Sequence, residues 1–203
     1  MCQQNTPEFI WEDKPKERVY QILNAQLNAL EQSTIVNEVN DSKTASENSI
    51  ELGFKLFPIL ETISTSVAEK TNTRDYLHEL GYSGFESDLI YSMFRNGLLH
   101  TLNPYHFMYN NGEVGWGLMS SSGTTGFAPH FPGYKNKENP TLDVQGDKAF
   151  IFSKLSDGNY HAGLSLDMLI SQLRYDLKQR ELADGRKTIK IIVGQRKHFD
   201  IPS

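Results

Sequence analysis

Apolar residues recur along this chain at two different periods, and the change between them divides it. Val19, Ile22, Leu23, Leu27 and Leu30 fall three to four residues apart, which predicts an amphipathic helix from Lys16 to about Gln32. Pro15 stands just ahead of it, where a proline is tolerated. After the polar, turn-like stretch Asn37 to Ser42, the residues Ile50, Phe54, Phe57, Leu60 and Val67 mark a second helix from about Lys43 to Lys70. Pro58 lies inside that run, where it removes an internal hydrogen bond and predicts a kink. A short helical piece from Arg74 to Leu80 stops at Gly81. Ser83 and Glu86 then have the spacing of a capping box. They open a third long helix whose core face is Leu89, Ile90, Met93, Phe94 and Leu98, ending before Pro104 because a proline disfavours helical geometry at Asn103.

From Tyr105 the period shortens. Tyr105 to Tyr109, the turn Asn110-Asn111-Gly112, and Glu113 to Leu118 read as a β-hairpin. Loop-forming residues follow at Ser120 to Gly126 and Pro129 to Pro140. Leu142 to Gln145 and Lys148 to Lys154, joined at Gly146-Asp147, read as a second hairpin, with one more short strand around Tyr160. Leu166, Leu169, Ile170, Leu173 and Leu177 restore the helical period over about Ser165 to Leu182, and Thr188 to Val193 closes the chain as a strand. Helices with one apolar stripe cannot bury it alone. The expected fold is therefore one mainly α domain, a four-helix up-and-down bundle built from residues 16–102 and 165–182. A small antiparallel β-insert (residues 105–163) and a short C-terminal strand (residues 188–193) complete it.

Composition narrows the classes without choosing among them. The 203 residues are 38% hydrophobic and 22% charged, which suits a folded domain. A net charge of −5 gives no general attraction to nucleic acid, so any RNA must be met by a local basic pocket. One cysteine, Cys2, excludes an intramolecular disulfide and Cys-rich zinc sites. No apolar run is long enough to cross a bilayer. The first residues, Met-Cys-Gln-Gln-Asn-Thr-Pro-Glu, lack the basic and apolar regions of a signal peptide. The expected compartment is the reducing cytoplasm, with no membrane partner.

The best candidate for chemistry is Arg95-Asn96-Gly97-Leu98-Leu99-His100 at the end of the third long helix. Asn96 and His100, four apart, share a face; Arg95 lies about 140° around from His100 in a regular helix, within reach of its long stem. A guanidinium fork beside an imidazole can hold a phosphodiester and move protons around it. The spacing alone recurs by chance, and its weight comes from its place in the helix, the polar residue after the arginine and the proline-terminated β-segment behind it. These residues, within Phe94 to Pro104, resemble the HEPN superfamily (higher eukaryotes and prokaryotes nucleotide-binding), in the form found in stand-alone bacterial members. The resemblance covers about Lys16 to Leu102 and Ser165 to Leu182; the β-insert departs from a minimal HEPN bundle. It implies a homodimer with a composite cleft and metal-independent endoribonuclease activity in a defence or toxin-like role. It also implies His100 as acid/base, Arg95 on the developing phosphorane charge, Asn96 orienting the phosphate or His100, and no cofactor.

Other features carry a plain and a functional reading side by side. Glu61, on the second helix, either faces and orients His100 or is a solvated carboxylate. His106, His130 and His161 lack metal-ligand spacing, so no metal site is expected. Tyr105, Phe107, Tyr109 and Trp116 form a stripe that packs a sheet face or stacks bases. Lys187, Lys190, Arg196, Lys197 and His198 make the C-terminus basic. Beside the ribonuclease stand two further classes: a non-catalytic module binding an unknown protein partner, with Arg95 and His100 structural, and a small-ligand sensor covered by the aromatic hairpin.

Overall fold

The computed structural model describes residues 8–36, 44–101, 104–105, 107–119 and 149–196. Helices form where the 3.6-residue period runs: α1 (Lys16–Val36), α2 (Thr44–Thr62), α3 (Thr73–Glu79), α4 (Gly84–Leu89), α5 (Gly97–Thr101) and α6 (Leu166–Ala183). Side chains fix several starts. Asn72 accepts the Asp75 N–H at 3.0 Å, Ser165 accepts the Met168 N–H at 3.4 Å, and Ser83 and Glu86 close the capping box expected of them, at 3.2 and 2.6 Å. Among the described residues two helical segments depart from α geometry. A π-helical turn, Ile63–Val67, continues α2, and a π-helical stretch, Ile90–Asn96, joins α4 to α5.

Among the described residues six strands make two sheets. β1 (Glu8–Pro15) pairs antiparallel with β6 (Thr188–Arg196), joining segments far apart in the sequence. β2 (Phe107–Tyr109), β3 (Gly112–Met119), β4 (Phe150–Lys154) and β5 (Tyr160–Ser165) form a mixed sheet in the order β2-β3-β5-β4, with β3 and β5 parallel. Asn110 and Asn111 take φ of 46° and 64°, the left-handed pair that a two-residue hairpin turn demands, so β2 and β3 meet as the sequence indicates.

This architecture corrects the mainly α bundle. The fold is mixed α/β, because the four-stranded sheet shares the helices' core instead of standing beside it. Val114, Leu118, Phe150, Ala162 and Leu164 are buried in the same cluster as Leu27, Leu60, Phe94 and Leu173. The insert is also not purely antiparallel, since β3 and β5 run side by side. The partner of β4 is β5, and the expected strand at 142–145 lies outside the described residues. β1 was not anticipated at all, and β6 extends past Val193 to Arg196 to meet it.

Within the helices the stripes are largely where the pattern places them. All five expected residues of α6 are at most 1% exposed, whereas Ile22, on the expected face of α1, is 46% exposed. Three buried tyrosines fasten this core through their hydroxyls: Tyr20 donates to Asp184 at 3.0 Å, Tyr76 to Asp176 at 2.6 Å, and Tyr82 to Gln172. Burial pushes the Tyr20 and Tyr82 phenols up to about 12, so they stay protonated donors.

The turns of the sheet are packed as tightly as its core. A Cβ on Gly112 would lie 2.6 Å from the Gly158 carbonyl oxygen, where the β2–β3 turn meets the β4–β5 turn. Because the obstacle is backbone, Gly112→Ala is expected to destabilise by about 1–3 kcal/mol. Urea denaturation checks this, and a variant as stable as the parent would show that the two turns move apart freely.

Candidate functional site

Arg95 and Asn96 are the last two residues of the π-helical stretch, and His100 sits in the single turn of α5 that follows. A π turn spends more residues per revolution than an α turn, so it swings residues five apart toward a common face. Only the step from Arg95 to Asn96 lies within the π stretch, and the rest of the path to His100 runs into and along α5, so the widening falls on the residues before Arg95. Such wide turns are rare, well under 1% of residues, and a second one begins two residues after Glu61.

Glu61 and Arg95 meet. Arg95 Nη2 donates to Glu61 Oε2 at 2.5 Å, and Nη1 donates to Asn96 Oδ1 at 2.7 Å. The Arg95 side chain is 15% exposed and that of Glu61 42%, so the arginine is the sheltered member of the pair. Its Nε is buried without a hydrogen-bond partner among the described residues. Glu61 thus lies on Arg95, and no described residue hydrogen-bonds to the exposed ring of His100. The structure brings together Glu61, Arg95 and Asn96, with His100 one turn beyond on the same helical rod.

Two residues without a place in the sequence reading join the cluster. The guanidinium of Arg95 lies 5.3 Å from the centroid of Tyr91, and that of Arg74 lies 4.8 Å from it. Arg74 also contacts Asp88 at 3.1 Å and donates to Ser92 Oγ at 3.3 Å. Tyr91 and Arg95 stand four apart, a spacing at which helical side chains meet, and that was the available signal. Arg74 arrives from α3 and left none. Two guanidiniums face two carboxylates here, so a phosphate must compete with Glu61 for the fork of Arg95.

The remaining candidates separate. His161 is buried in β5, and burial lowers its pKa from the usual 6.5. A group held neutral by burial stabilises the fold above its unfolded value and loses that contribution as pH falls below it. Stability is therefore expected to decline as pH drops below 6.5, and His161→Leu to flatten that part of a melting-temperature profile; an unchanged slope would refute the assignment. His106, His130, Lys197, His198 and the Ser120–Gly126 loop lie outside the described residues. Among the described residues no group of three His, Cys, Asp or Glu is placed to hold a metal. Tyr109 packs at 5.0–5.4 Å against Phe85, Phe152 and Tyr160, so much of the aromatic stripe is occupied by other rings.

Fold and site together define a mixed α/β protein carrying an Arg–Glu–Asn cluster and an exposed histidine on a helix widened by a π stretch. No protein-family model matches the chain, and neither the curated proteins nor the solved structures give a significant match. Among the described residues no helix is long and apolar enough to cross a membrane.

Proposed function

We propose that this protein cleaves RNA without a metal ion, with His100 moving protons and Arg95 stabilising charge at the phosphate. The observation that carries the reading is Arg95 held by Glu61 and Asn96 with an exposed His100 in the next turn. The resemblance of Arg95, Asn96 and His100 to the HEPN motif supports the same reaction. In it, the 2′-oxygen bonds to phosphorus while His100 takes its proton, the bond to the 5′-oxygen breaks, and that oxygen regains a proton. The products are a 2′,3′-cyclic phosphate and a 5′-hydroxyl. Arg95 steadies the oxyanion, provided the phosphate displaces part of its bond to Glu61. The proposed setting is a homodimer in the reducing cytoplasm, where paired Arg95–His100 clusters offset the acidity of the whole chain.

The test is incubation of the purified protein with varied RNAs in EDTA, reading out cyclic-phosphate ends. Cleavage is expected from the parent and from neither Arg95→Ala nor His100→Ala, with 2′-deoxy substrates left intact. A second reading is favoured by the Glu61–Arg95 pair itself, which already neutralises the guanidinium and fastens α2 to the rod of residues 84–101. In that reading the cluster is structural and the protein an interaction module. RNAs left intact by the parent, together with a lowered melting temperature in Arg95→Ala, would replace the nuclease with that module.

A further inference from the structure

The β1–β6 ribbon is more apolar at its far end than a free ribbon should be. Its base rests on the body through Ile189, 1% exposed, and Ile191, packed against the core. Beyond that point Phe9, Ile10, Trp11, Ile192 and Val193 are 37–49% exposed, five of the large apolar side chains that the described residues leave open. A two-stranded sheet is marginal unless another layer covers it, and contiguous exposed apolar patches mark interaction sites.

Alternation along the strands sorts the ribbon into two faces. Residues directly opposite share a face, so Lys14 and Ile189 lie on the inner one, while Asp13 and Lys190, then Trp11 and Ile192, lie on the outer one. Asp13 and Lys190 are both exposed, and no side-chain hydrogen bond or ion pair joins either to a described residue. The outer face is thus an apolar row, Trp11 and Ile192, beside a charged row with its negative end on β1 and its positive end on β6.

We propose that this face is the interface between two copies of the chain, stacked about a two-fold axis that runs parallel to the strands. That axis lays β1 of each copy over β6 of the other. It places Trp11 on the partner's Ile192 and Asp13 on the partner's Lys190, twice over, so hydrophobic and charged rows are satisfied together. A two-fold axis across the strands would not match the charged rows. The charge pattern is what selects a second copy as occupant, and it does so independently of the RNA reading.

Charge exchange tests it. The parent is expected to sediment as a dimer, and Asp13→Lys and Lys190→Asp each as monomers, because each variant puts like charges in both contacts. Mixing the two variants is expected to restore a dimer containing one copy of each, since every contact then joins opposite charges. A ribbon that merely unravels in the variants would not recover on mixing, so the mixture separates a lost interface from a lost fold. A monomeric parent at tens of micromolar, single variants that stay dimeric, or a mixture that stays monomeric would each overturn the proposal. RNA cleavage is read separately, and neither result decides the other.

Discussion

Arg186→Ala is expected to lower the stability of the protein by about 3 kcal/mol, measured by urea denaturation at neutral pH. Arg186 holds Asp184 in a two-pronged contact, with Nε 2.8 Å from Oδ1 and Nη2 2.7 Å from Oδ2. The same guanidinium donates to the Val67 carbonyl at 3.0 Å and to Glu69 at 2.5 Å. Tyr20 donates to the same Oδ2 of Asp184 at 3.0 Å, and Lys16 Nζ donates to the Asp184 carbonyl oxygen at 2.6 Å. One arginine therefore joins α1, the π turn after α2, the end of α6 and the approach to β6. The Asp184 side chain is only 7% exposed, and removing its partner leaves a sheltered carboxylate uncompensated. Arg186→Lys should recover only part of the loss, because an ammonium cannot present the planar fork. A fully stable alanine variant would mean that Tyr20 and water satisfy Asp184 unaided.

The same junction sets an acid limit. Hydrogen bonding from Arg186, followed by that from its backbone and from Tyr20, holds the Asp184 carboxyl far below the usual carboxylate range. A depressed carboxylate stabilises the fold fully above its unfolded value of 3.8 and loses that contribution as pH falls through and below it. This decline sets in at a lower pH than the one assigned to His161, which starts below 6.5. The lower one should shrink in Asp184→Asn.

On the ribonuclease reading, His100→Ala is expected to slow RNA cleavage by about 10²–10⁴-fold with the melting temperature unchanged. His100 is exposed and its ring hydrogen-bonds to no described residue, so its removal should cost the fold little. Arg95→Ala should slow cleavage as well, but it also removes the partners of Glu61 and Asn96 and should lower the melting temperature. The pair of variants therefore divides chemistry from structure: a rate lost without a stability change belongs to His100. If His100→Ala keeps the parent's rate, the imidazole is not the acid/base, whatever Arg95→Ala does.

How far these features could be read from the chain depends on how local their causes are. The stripes of α1 and α6, the capping box at Ser83 and the two-asparagine turn each arise from residues within a few positions of one another, and each was legible. β1 was not. Phe9, Ile10 and Trp11 make only a short apolar run before Glu12, Asp13 and Lys14, and their partner strand lies at the other end of the chain. The parallel pairing of β3 with β5 was missed for the same reason, since neighbouring strands suggest hairpins and only tertiary contact reveals a crossover. The crossover decides the fold class, because it carries Val114, Leu118 and Leu164 into the core, where hairpins alone would leave the β-segment an appendage. At the site, spacing singled out Arg95, Asn96 and His100. It could not show that Glu61 engages Arg95, that Arg74 shares Tyr91 with it, or that the helix widens there, since a π stretch is settled by packing and has no residue signal of its own.

The pairing of the first strand with the last has a consequence for synthesis. A ribosome delivers the chain in N-to-C order, so Phe9, Ile10 and Trp11 emerge well before β6, with α1 to α6 and β2 to β5 made in between. Until then that apolar segment has no strand to pair with. Closing so long a loop is also slow, because the entropy of bringing distant segments together must be met before their contacts form. The nascent chain therefore carries an unpaired apolar strand until β6 has been made, and ribosome-associated chaperones that bind short extended apolar segments would find it there.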